Sequence, residues 1–175
     1  MLPSHVRLPR PRRRHPLVRA VRAVWTLPTN AVGHLAGWIV SGARPRRVGG
    51  PAGVGWLYPI RPGIGLDWVG AVTLGNAILH RRGFLDGPST RARLTLAHEL
   101  AHTRQHDFLG PLYLPLHALA QLGSAVLSLG HPPVVSRVHD HNPLEQTLIC
   151  LSAGATTPPL PDGADAEALL AGFGV

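Results

Sequence analysis

Five residues constrain this chain more than any other feature. His98-Glu99-Leu100-Ala101-His102 sets two imidazoles four residues apart, with a carboxylate beside the first. On an α-helix that spacing is about one turn, so both rings lie on the same face. Rings so placed reach one zinc ion at about 2.0–2.1 Å. Glu99 leans over the metal, placed to take a proton from a zinc-bound water whose pKa has fallen to about 7. The plain alternative is two histidines on a polar helix face. With 11 His in 175 residues and few Glu, chance produces the pattern about once in a hundred such chains.

A catalytic zinc takes three protein ligands and keeps a fourth position for water or substrate. His106 continues the four-residue series, but it lies about 12 Å along the axis from His98, too far for one ion. It is read as a supporting or solvent-facing residue. The longer H-E-x-x-H-x-x-G-x-x-H pattern fails as well, because Gln105 and Phe108 stand where Gly and His are required. Glu145 is the expected third ligand, which would give a His2Glu site. Asn142-Pro143-Leu144-Glu145 also fits a capping box, which competes for the same carboxylate. Asp140, His139 and His141 remain rivals for the ligand position. An oxyanion formed beside the metal needs a donor, and His139, His141, Arg137 and Tyr113 are candidates. Gln105 or Asp107 is placed to orient a liganding imidazole.

The surrounding sequence reads as α+β. Gly55-Trp56-Leu57-Tyr58-Pro59-Ile60 and Val69-Gly70-Ala71-Val72-Thr73-Leu74-Gly75-Asn76-Ala77-Ile78-Leu79 are short runs bounded by Gly and Pro, with β-branched residues. Gly49-Gly50-Pro51-Ala52-Gly53 reads as a turn or linker, and the runs after it predict a small sheet over 54–80. Ser89 or Thr90 caps a metal helix over 89–108, ended by Gly110-Pro111. The stretch 108–136 holds no charge, and 112–129 reads as a helix apolar almost all round, which is either buried or in lipid; Pro115, His117, Gln121 and Gly123 favour a buried backing helix. A ligand helix follows from 143, with Pro143 at its first position. Domain boundaries are expected at 1–48 for a basic arm and apolar segment, 49–155 for the metal domain, and 156–175 for a Pro- and Ala-rich tail.

Charge is unevenly spread. The formal net charge is +8, yet residues 1–66 hold 11 of the 17 basic residues and no acid. The basicity therefore belongs to the first third. Residues 1–22 read as a loosely held arm. The arm lacks interleaved aromatics and precedes no nucleic-acid module, so no specific nucleic acid is expected. Residues 24–43 are uncharged between arginine-rich flanks. They are too interrupted for a cleavable signal peptide and too short and polar for a good span. Two readings remain: a segment lying on an anionic membrane surface, or an ordinary helix packed on the domain. The single Cys150 excludes a disulfide framework and a Cys-rich zinc site.

The stretch 96–145 resembles a family of uncharacterised bacterial zincin-like proteins. The resemblance rests on His98-Glu99-Leu100-Ala101-His102-Thr103-Arg104-Gln105, Leu109-Gly110-Pro111-Leu112-Tyr113-Leu114-Pro115 and Asn142-Pro143-Leu144-Glu145, with weaker echoes in 72–79 and 25–28. It implies a zincin-like fold, bound zinc, and a cytoplasmic or membrane-associated bacterial protein. Gluzincin peptidases, the wider group, carry their downstream glutamate in an N-E-x-x-x-D-like helix, and Asn-Pro-Leu-Glu-Gln departs from that pattern. The expected function is zinc-dependent hydrolysis of a peptide or protein, with His98, His102 and Glu145 on the metal and Glu99 as base. The alternative is a non-catalytic, zinc-stabilised module at a membrane.

Overall fold

The computed structural model describes residues 15–50, 53–87, 89–129 and 142–145. Helix α1 spans Pro16–Ser41; strands β1 to β4 span Arg46–Gly50, Gly53–Ile60, Ala71–Leu74 and Ala77–Arg81. Helix α2 spans Thr90–Leu109, a 3-10 turn covers Gly110–Leu112, and α3 spans Tyr113–Ser128. The described part is mixed α+β, with one sheet in the order β1-β2-β4-β3. β1 and β3 run antiparallel to their neighbours, and the central β2–β4 pair is parallel.

The sheet is covered on both faces. Leu57 and Ile78 join Leu85 and Leu100 in the cluster beneath α2. Tyr58, Ile60, Ala77 and Leu79 form the other, with Ala36 and Val40 of α1 packed on it. Side chains alternate along a strand, so β4 serves both clusters. Ala77, Ile78, Leu79 and His80 are consequently all buried. This is why Ala77-Ile78-Leu79 is continuously apolar and the 69–79 run alternates only in part.

Helix α2 begins where its cap predicts: the Ser89 hydroxyl accepts the Ala92 N–H at 3.2 Å. It stops at Gly110, which has φ 56°. The last turn of the helix is tied to α1, since Trp25 Nε1 donates to the Phe108 carbonyl at 3.2 Å. The Thr29 hydroxyl donates to the Gly110 carbonyl at 3.1 Å. These bonds satisfy carbonyls that a helix end leaves unpaired.

Three expectations need correction. The arm does not run to residue 22, because α1 starts at Pro16, where proline's fixed φ suits the first helical position. The Gly-rich segment after 48 is not simply a linker: Gly49 and Gly50 pair with Val54 and Gly53 in β1–β2, so the sheet begins before 54. The backing helix at 112–129 is present, but it is not buried all round. Its buried residues are Tyr113, Ser124 and Ser128, while Leu116, Leu119, Leu122, Val126 and Leu127 are exposed. The ligand helix expected from 143 lies beyond the described residues after its first turn, and so does the 156–175 tail.

Helix α1 packs in an unusual way. Its buried positions are Thr26, Thr29, Gly33, Gly37 and Ser41. A Cβ on Gly33 would collide with the Leu74 carbonyl, and one on Gly37 would lie 2.6 Å from the Tyr58 ring. Polar bonds flank this stripe: Asn30 Oδ1 accepts the Asn76 N–H at 3.0 Å, and His34 Nδ1 lies 2.6 Å from the Tyr58 hydroxyl.

Candidate metal centre

Ala92, Leu94, Ala97, Leu100 and Ala101 are the buried apolar residues of the motif helix, with Leu100 seated in the core beneath the sheet. This packing fixes the rotation of α2 and brings His98 and His102 together. The rings stand perpendicular at 89°, with centroids 4.5 Å apart, and their Nε2 atoms are 3.0 Å apart. Both rings are buried.

Glu145 arrives from a turn 43 residues further on, its Oε2 lying 3.1 Å from His102 Nε2 and 3.1 Å from His98 Nε2. Asn142 shapes that turn. Its Oδ1 accepts the Leu144 N–H at 2.9 Å, and its carbonyl accepts the Glu145 N–H at 3.0 Å. Its Nδ2 donates to Gln121 Oε1 on α3 at 2.7 Å. The capping geometry and the ligand geometry therefore coexist: Asn142 caps the turn while the Glu145 carboxylate reaches the histidines.

Two nitrogens and one carboxylate oxygen thus form a nearly equilateral triangle with sides of 3.0, 3.1 and 3.1 Å. Tetrahedral bonds of about 2.0–2.1 Å place ligand atoms about 3.3 Å apart. An ion fits with a few tenths of an ångström of relaxation. The donor set, two imidazoles and one carboxylate, suits a divalent transition metal, zinc among them. Among the described residues these three form the one group whose atoms are close enough to share an ion. The local field also suits a cation. Burial pushes the His102 pKa down, but the hydrogen bond to Glu145 and the charges of Glu145 and Glu99 carry it above the ordinary value.

Gln105 occupies the orienting position. Its Oε1 lies 2.8 Å from His102 Nδ1, and its Nε2 donates to the Leu144 carbonyl at 2.8 Å. A carbonyl oxygen at Nδ1 requires the N–H there, which leaves the Nε2 lone pair for the ion. One amide thereby sets the tautomer of one ligand and anchors the turn that carries another. Glu99 is buried, and its Oε2 accepts from the Thr73 hydroxyl at 2.6 Å. Thr73 belongs to β3, the edge strand of the sheet.

The remaining candidates fall elsewhere. Asp107 forms an ion pair with Arg22 of α1 and so does not orient a ligand. Tyr113 is buried between the His106 and His117 rings, at centroid distances of 5.6 and 5.5 Å. His106 is fully buried, not solvent-facing; burial and the Arg22 charge lower its pKa to about 4. His139, His141, Asp140 and Arg137 lie outside the described residues.

Sequence reasoning missed Thr73 and His117. His117 Nε2 lies 3.4 Å from the other Glu145 oxygen, Oε1, and its ring is 5.4 Å from that of His102. Its signal was a histidine within an otherwise apolar helix of the charge-free stretch. Thr73 was the one hydroxyl in an apolar strand, on the face shared with its partner Ile78. Comparison of the chain with known protein families, with curated proteins and with solved structures finds no match.

Proposed function

We propose that this chain is a zinc-dependent hydrolase of peptide bonds with a zincin-like arrangement. The carrying observation is the convergence of His98, His102 and Glu145 on one point, with the Glu99 carboxylate next in sequence and held by Thr73. Zinc in that triangle supplies Lewis-acid activation of water and of a carbonyl. The protein's own groups do the rest. The Thr73 hydroxyl occupies Glu99 Oε2, which leaves Oε1 to accept a proton and later deliver it to the leaving amine. Gln105 keeps the His102 Nε2 lone pair turned toward the ligand point. His117 stands beside Glu145 as a donor near the same point. β3 is an edge strand carrying the residue that holds the base, so an extended peptide added along it would pass the site.

The test is a pair of variants. Glu99→Gln is expected to retain stoichiometric zinc by metal analysis and to lose cleavage of a peptide library. His98→Ala is expected to lose both. Full cleavage by Glu99→Gln would refute the base assignment. Zinc-dependent thermal stability without cleavage by the wild type would favour the non-catalytic module instead.

A further inference from the structure

Helix α1 is turned inside out for a protein face meant for water. The residues it buries are small or polar: Thr26, Thr29, Gly33, Gly37 and Ser41. Those it exposes include Val24, Leu27, Val32, Leu35, Trp38 and Ile39, with Trp38 58% exposed and Leu35 63%. Placed at 100° per residue, these six share one side of the helix, opposite the buried stripe. No charge interrupts 24–43. Continuous apolar faces of this extent are rare on monomers and mark a partner surface. No helix among the described residues is long and apolar enough to cross a membrane.

Charge identifies the partner. Arg19 precedes the apolar face and Arg44 and Arg47 follow it, and no acidic residue occurs before Asp67; Arg22 and Arg46 are instead paired with Asp107 and Asp86. A second copy packed on the same face by a twofold axis would set Arg19 of one against Arg44 and Arg47 of the other, and the carboxylates near these ends, Asp86 and Asp107, are already engaged by Arg46 and Arg22. An anionic bilayer offers the complement, hydrocarbon for the centre and phosphates for both ends. Trp25 and Trp38 suit the interface between the two regions. Beside Trp25, an apolar groove of about 420 Å³ is lined by Leu17, Val18, Val21 and Phe108, with Arg22 and Asp107 at its polar side. α3 repeats the inversion, burying Ser124 and Ser128 while exposing Leu119 and Leu122.

We infer that the outward face of α1 docks on an anionic lipid bilayer, lying in the interface with its flanking arginines on the headgroups. This inference stands independently of the zinc chemistry.

The test uses the full chain with vesicles of phosphatidylcholine alone or mixed with phosphatidylglycerol, read by flotation and by quenching of tryptophan with bromine-labelled acyl chains. Flotation is expected with the anionic vesicles and at least about tenfold less with phosphatidylcholine alone, given the flanking arginines. Quenching is expected to fall sharply in Trp25→Phe/Trp38→Phe. Leu35→Glu/Ile39→Glu, with its fold checked by circular dichroism, is expected to stay at the bottom of the gradient. Should that variant misfold, the quenching of the two tryptophans decides alone. Absence of flotation with anionic vesicles would overturn the inference. So would quenching indifferent to Trp25 and Trp38, or a wild-type dimer that the glutamates convert to monomer without any vesicle binding.

Discussion

Replacing Gln105 by Leu tests the logic of the metal centre without touching a ligand. The amide makes two bonds of 2.8 Å, one to His102 Nδ1 and one to the Leu144 carbonyl. Each bond of that quality is worth about 1 kcal/mol net. Leucine keeps the bulk and removes both. The His102 ring then loses the acceptor that fixes its tautomer, and the turn bearing Glu145 loses its tie to α2 through Leu144 while keeping the Asn142–Gln121 bond to α3. The sum, about 2 kcal/mol, agrees with the roughly tenfold to hundredfold loss of metal affinity usual when an orienting residue is removed. Zinc affinity measured near neutral pH by competition with a chromophoric chelator reads the effect directly. Gln105→Glu separates the halves: its carboxylate accepts from His102 Nδ1–H but cannot donate to Leu144, so an intermediate affinity is expected. Wild-type zinc affinity in Gln105→Leu would show that neither bond positions a ligand.

Thr73→Val, nearly isosteric, removes the 2.6 Å bond to the Glu99 carboxylate; at about 1.5–3 kcal/mol for a bond to a charged group, kcat is expected to drop roughly tenfold to hundredfold while zinc content stays at wild type. Gly33→Ala drives a methyl into the Leu74 carbonyl; the overpacking cost of about 1–3 kcal/mol exceeds the gain of about 1 kcal/mol in helix propensity, and a lower urea midpoint is expected. His106 has its pKa lowered to about 4 by burial and by Arg22. A base depressed in the fold contributes stability that is complete above its unfolded value near 6.5 and is lost as pH falls toward about 4. The loss is on the order of 3 kcal/mol, and urea melts of wild type and His106→Gln across that window should converge as the pH falls; parallel curves would refute the assignment.

Local chemistry was legible in the sequence wherever it was self-contained. The Ser89 cap, the Gly110 stop and the four-residue histidine spacing all act within one helix, and the structure puts each where the sequence does. Glu145 was legible because few acids were in reach. What the sequence hid depended on partners far along the chain. Gly49 and Gly50 read as a linker because nothing local reveals that Val54 and Gly53 lie opposite them. Thr73 and His117 gain meaning only when β3 and α3 come to rest beside residues remote from them in the chain. The orientation of α3 was misjudged because an all-round apolar helix has no face that composition can choose, and Ser124 and Ser128, which point inward, are too small to bias the pattern.

The reach of Glu145 has a consequence for assembly. Two donors sit on one continuous helix and exist as soon as that helix does, whereas the third travels 43 residues and depends on Asn142 meeting Gln121. An ion captured by all three therefore works as a clasp fastened last. Its closure would stabilise the molecule by the free energy of binding the ion, because the unfolded chain holds no such site.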